Sequence, residues 1–136
     1  MKLDQYLKET VATESPAEIV LARIHTQEGM KDFASFLVDL HTTIKTLQTL
    51  DMWKKKLFYN KPFALELSKG EVVLNPQAIT SEFVRLLHSS MGIATEACEL
   101  LEALVRVIEG KELDKVNLAE ELGDVMWYIG LMVDTT

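Results

Sequence analysis

The sequence has little that interrupts a helix and little that would mark an exported, membrane-bound or DNA-binding protein. Only three prolines and six glycines occur in 136 residues, so long uninterrupted segments are expected. The single cysteine, Cys98, closes no internal disulfide and suits a reducing compartment, where it reads as a small buried residue. The opening stretch MKLDQYLKETVATESPAE places acids where a signal peptide needs an apolar core. The longest apolar run, residues 125–133, is far shorter than a membrane span. A cytoplasmic protein with no membrane partner is therefore expected. Positive charge is scarce as well. Fourteen Lys and Arg against 21 Asp and Glu give a net charge of −7, which argues against holding a nucleic-acid backbone. Small anionic ligands stay open, because a metal can bridge acid to phosphate. What is present is 48% hydrophobic residues in a length that suits one domain, residues 1–136, with one core.

Helix signals run through the chain. Ser15-Pro16-Ala17-Glu18 reads as a capping box opening a helix that stops near Gly29. From about Lys31 to Tyr59, Phe33, Phe36, Leu37, Leu40, Ile44, Leu47 and Leu50 recur at spacings of three and four, the pattern of a long amphipathic helix. Asn60-Lys61-Pro62 ends it. Residues 62–75 form either a small hairpin around Ser68-Lys69-Gly70 or an irregular connection. Asn75-Pro76 opens another helix, with Gly92 as a bend or break, which stops at Gly110. Asp114 or Asn117 caps a last helix reaching about Val133. The expected fold is an all-α bundle of about four to five helices.

Two pairs of acids interrupt the apolar pattern of the last two helices. Glu96 and Glu99 are three residues apart and share a helix face, and so do Glu121 and Asp124. The short link GKELDKVN makes the two helices antiparallel neighbours, so four carboxylates can converge between them. Such acids either lie on a solvated face or need compensation, because burying ionised carboxylates together is costly. Within residues 96–124 the only cations are Arg106, Lys111 and Lys115, grouped at the turn. A hard divalent cation is the other means of compensation, and oxygen-only ligands favour Mg²⁺ or Mn²⁺.

The segments GIATEACELLEAL and NLAEELGDVMWYIGLM resemble the MazG-like all-α nucleotide pyrophosphohydrolases, related to dimeric dUTPases and phosphoribosyl-ATP pyrophosphohydrolases. The family signature, ExxE followed after a spacer by ExxD, reads here as Glu96-Ala-Cys-Glu99, 21 residues, Glu121-Leu-Gly-Asp124. The similarity covers residues 80–133 of a metal-site core at about 76–133. It implies a Mg²⁺-dependent enzyme that cleaves a nucleoside triphosphate between the α and β phosphates, working as a homodimer or homotetramer. On that reading Glu96, Glu99, Glu121 and Asp124 hold the metal, and Glu96 also activates the attacking water. Family members carry substrate-contacting Asn, Lys and Arg beyond the second motif, whereas this sequence ends 12 residues after Asp124. Phosphate-contacting cations are therefore sought in Lys54, Lys55, Lys56 and Lys61 of MWKKKLFYNKPF, or in Arg85.

Other residues read mainly as structural. His25, His41 and His88 lack a Glu three residues earlier, so the Glu-x-x-His pattern of di-iron bundles is missing. Trp53, Trp127 and Tyr128 either stack on a base or fill core. The run VMWYIGLMV has no polar face and predicts a subunit interface. A second functional reading, from a different class, is a non-catalytic helical nucleotide-binding or interaction module with the same fold.

Overall fold

In a computed structural model, which describes residues 2–62, 70 and 73–136, the chain is all α. Five helices occur among the described residues: α1 (Leu3–Thr13), α2 (Ala17–Ile24), α3 (Gln27–Tyr59), α4 (Ser81–Ile108) and α5 (Lys115–Thr135). No strand occurs among these residues, and no helix is long and apolar enough to cross a membrane. The hairpin considered at 62–75 lies mostly outside the described residues. The chain divides into two compact units, Met1–His41 and Thr42–Thr136, with the division falling inside α3.

The first unit departs from the sequence reading in its boundaries. Residues 3–13 form a helix whose apolar Leu3, Tyr6, Leu7 and Val11 are all exposed. Ser15 caps nothing. Pro16 occupies the cap position of α2 itself, which leaves Ser15 one residue too early to reach the free N–H groups. Gly29 does not end α2 either. Helix α2 stops at Ile24, and Gly29 lies in the first turn of α3, where its N–H donates to Thr26 Oγ1 at 2.9 Å. A Cβ there would stand 2.0 Å from the Arg23 carbonyl oxygen, so the tight reversal between the helices requires glycine.

The second unit holds the buried side chains. Helix α3 ends at Tyr59 as expected, with Asn60 in the left-handed region at φ 51° and the Lys61 N–H donating to the Lys55 carbonyl at 3.1 Å. Pro76 starts only a 3₁₀ turn, Pro76–Ala78. The true start of α4 is Ser81, capped by Thr80 Oγ1, which accepts from the Phe83 N–H at 3.1 Å. Asn75 Oδ1 caps the short turn, accepting from the Gln77 N–H at 3.3 Å. Helix α4 then runs unbroken through Gly92 to Ile108, and Gly110, at φ 88°, turns the chain. Asp114 rather than Asn117 caps α5, its Oδ1 accepting from the N–H groups of Val116 and Asn117 at 3.0 Å.

Helices α4 and α5 pack against each other along their length, antiparallel, and residues 42–59 of α3 reach both through side chains. Gly92 permits a close approach. A Cβ there would lie 2.2 Å from the Tyr128 ring, so glycine in α4 gives α5 its seat. Ile44, Met91, Cys98, Ala103, Val105 and Tyr128 form the buried apolar core, while Lys54, Ser89, Thr95, Glu96 and Glu121 are buried with them. Buried polar groups nearly equal the buried apolar ones. The centre of this unit is therefore a polar site wrapped by a thin hydrophobic layer.

Candidate metal centre

The spacing of three on α4 and the register set by Gly92 bring carboxylates from two helices together. One oxygen from each of Glu96, Glu99 and Glu121 lies within 4.8 Å of the others. Asp124, one turn beyond Glu121, is exposed and stands outside this group, although its charge reaches Glu96. Three of the four expected acids thus converge, and the fourth stands at the rim.

The electrostatics of the three differ. Burial, the charges of Glu121 and Glu96, and a hydrogen bond to Glu121 push the Glu99 carboxyl up to about 7. Among the described residues no lysine or arginine pairs with Glu99 or Glu121. Glu121 is steadied instead by Asn117, one turn earlier, whose Nδ2 donates to its Oε1 at 2.7 Å. Burial also raises Glu96, against the opposing pull of Lys54, whose Nζ donates to Glu96 Oε1 at 2.6 Å.

Lys54, expected among the phosphate-contacting cations, is instead buried against the acids. Only 2% of it is exposed. Its ammonium bonds Glu96 Oε1, donates to Thr95 Oγ1 at 2.7 Å and lies 3.0 Å from Asp51 Oδ1. The Asp51 contact is an ion pair without hydrogen-bond geometry, so Asp51 Oδ1 keeps an unused acceptor site. Burial alone would lower the Lys54 pKa, but its bonds to Glu96 and Asp51 outweigh that and hold it above the usual lysine range. Asp51 is pushed up by burial and drawn down further by Lys55 and Lys54, ending below its ordinary value.

The other expected cations lie elsewhere. Lys55 pairs with Asp51 Oδ2 at 2.5 Å, Lys56 sits 5.5 Å over the Trp53 ring, and Lys61 is exposed. Arg85 pairs with Asp134 at 2.6 Å, eleven residues from Glu96 and so about 17 Å along the helix. It stands well away from the carboxylates.

Aromatic groups close one side of the site. His88 stacks on Phe58 with ring centres 4.2 Å apart, and Tyr59 Oη lies 3.1 Å from His88 Nε2 and 2.9 Å from Tyr128 Oη. Burial, then the charge of Lys54, lowers the His88 pKa, in keeping with a packing residue. Tyr128 is buried core and its ring faces the Lys54 ammonium at 5.2 Å, whereas Trp127 is exposed. On the opposite side a cleft of about 210 Å³ opens between α3 and α4 beside Glu99, lined by Leu47, Gln48, Asp51, Met52, Thr95, Cys98 and Glu102. A larger cavity at the α4–α5 turn touches the site only through Asn117, and its Arg106 and Lys111 are outnumbered by Glu109, Glu112 and Asp114.

The chain matches no protein-family model, no curated protein and no solved structure. Function is therefore argued from the site itself.

Proposed function

We propose that the protein is a Mg²⁺-dependent nucleoside triphosphate pyrophosphohydrolase of MazG-like type, releasing a nucleoside monophosphate and pyrophosphate. One observation carries this reading: Glu96, Glu99 and Glu121 crowd within 4.8 Å, and no protein cation pairs with the last two among the described residues. Oxygen-only donors with surplus negative charge fit a hard divalent ion, Mg²⁺ or Mn²⁺, and the raised Glu99 carboxyl is what such a site shows without one. Glu99 and Glu121 would hold the ion, with Asp124 reaching in from the rim. When bound, a divalent ion neutralises phosphate oxygens as the phosphoanhydride breaks.

The chain's own groups supply the rest. Glu96, with one oxygen fixed by Lys54, orients the attacking water and accepts its proton. Lys55, Lys56 and Lys61 would supply the cations for the phosphate tail, the first two by leaving Asp51 and the Trp53 ring. The cleft beside Glu99 offers Leu47 and Met52 walls with the Gln48 amide for the nucleoside. Incubating the protein with a panel of nucleoside triphosphates and Mg²⁺, with pyrophosphate as the readout, tests the assignment. Pyrophosphate release abolished by EDTA is expected. No release from any nucleotide would leave the non-catalytic binding module as the better reading.

The assembly we propose is a homodimer or homotetramer. Leu122, Met126, Ile129 and Val133 recur at four, three and four residues along α5 and are 52%, 65%, 46% and 69% exposed. They form one apolar stripe with nothing over it among the described residues, the kind of surface that a subunit contact covers.

A further inference from the structure

We infer that Lys54 is a positioning residue: an internal counter-cation that reserves Glu96 for the attacking water and keeps it from ligating the metal. This rests on the reading of the site as a divalent-metal centre. The ammonium of Lys54 lies against three oxygens, hydrogen-bonded to Glu96 Oε1 at 2.6 Å and Thr95 Oγ1 at 2.7 Å and ion-paired with Asp51 Oδ1 at 3.0 Å. The Tyr128 ring covers the remaining side at 5.2 Å, and only 2% of the residue reaches solvent. With two donors bonded and the ammonium buried against Asp51 and the Tyr128 ring, it reaches neither phosphate nor water. Thr95 in turn donates to the Gly92 carbonyl at 3.2 Å, so its lone pairs face Lys54.

This arrangement divides the acids into two groups. Asp51 and Glu96 are answered by Lys54, and Lys55 takes the second oxygen of Asp51. Glu99 and Glu121 are answered by no protein cation among the described residues. A divalent ion that took Glu96 as a ligand would have to approach the buried ammonium, and two like charges at that range repel strongly where water is excluded. The ion is therefore directed to Glu99 and Glu121, and Glu96 keeps a free oxygen for water. The same repulsion holds the affinity of the nucleotide-free protein for its metal down.

The test is Mn²⁺ binding, followed by electron paramagnetic resonance of the free ion, on wild type, Lys54→Met, Lys54→Arg and the double variant Lys54→Met/Asp51→Asn. The double variant removes the ion pair as a unit, which leaves no new unpaired charge at Asp51 and keeps the test alive if Lys54→Met fails to fold. Loss of the ammonium should let Glu96 join the metal. Both neutral variants should bind Mn²⁺ about tenfold more tightly than wild type while losing turnover. Lys54→Arg, which keeps the charge, should bind as wild type does. Unchanged or weaker Mn²⁺ binding in the neutral variants would show Lys54 to be merely structural and would overturn the inference. No Mn²⁺ on any of the four proteins would overturn the metal reading itself, and this inference with it.

Discussion

Glu99 is squeezed between two other carboxylates, and its titration follows from that position. Its folded value, about 7, lies above the ordinary 4.5. A carboxyl raised in this way stabilises the fold below pH 4.5 and loses that contribution as pH rises through 7. Metal-free protein should therefore melt at progressively lower temperature across that window, as scanning calorimetry in EDTA would record. Asp51 has the opposite sign, and its contribution is lost only at more acid pH. Glu99→Gln removes the repulsion, so it should melt higher than wild type in EDTA and gain less from Mg²⁺. For wild type, Mg²⁺ at a hundred times its dissociation constant adds about 2.7 kcal/mol by mass action. Equal Mg²⁺ shifts in both proteins would mean that these acids are not one site. Asn117→Leu, which releases Glu121, should weaken metal binding by about tenfold, measurable by titration calorimetry. At this scale the acids were legible in the sequence because helical spacing fixes which side chains share a face. Lys54 was not, since its partners Thr95 and Glu96 are 41 and 42 residues away and no local period encodes them. Asp51, within a turn of Lys54, gave no signal until that lysine was seen to turn inward.

Helices α4 and α5 depend on one missing methyl group. Gly92 lies in the middle of a 28-residue helix, where alanine would normally add about 1 kcal/mol of helix propensity. Here a Cβ would meet the Tyr128 ring at 2.2 Å, and a ring held by Tyr59 and Gly92 has little room to retreat. Gly92→Ala should therefore destabilise the protein by about 1–3 kcal/mol in urea unfolding, the cost of overpacking. A neutral or stabilising effect would mean that α5 shifts freely. Sequence reasoning took Gly92 for a bend or break, because glycine weakens a helix and nothing local reveals a ring arriving from 36 residues away. Helix ends with a polar cap were easier. Asp114 is legible as the α5 cap, whereas Thr80 was overlooked because Asn75-Pro76 offered an earlier and stronger signal. Thr80→Ala should cost about 1 kcal/mol by the same urea assay.

At the scale of the whole molecule, the all-α class followed from scarce proline and glycine and from a period of three and four. The exposed stripe on α5 followed from a run with no polar face. Light scattering at micromolar concentration should report a mass at least twice the 15.4 kDa of one chain, and Met126→Lys on the stripe should lower it. A single-chain mass for wild type would refute the proposed assembly. The buried thiol offers a separate way to watch the molecule move. Cys98 is 3% exposed, its Sγ rests 3.9 Å from the Ile44 carbonyl, and burial together with Glu102 and Glu99 keeps it protonated. Cys98 lines the cleft beside Glu99 but is too buried there to meet a disulfide reagent until α3 and α4 part, so the labelling rate follows how often they do. With one cysteine in the chain, every count of released thiolate comes from that event. The protein thus carries its own clock for helix opening, and Mg²⁺ that closes the neighbouring carboxylates should slow it.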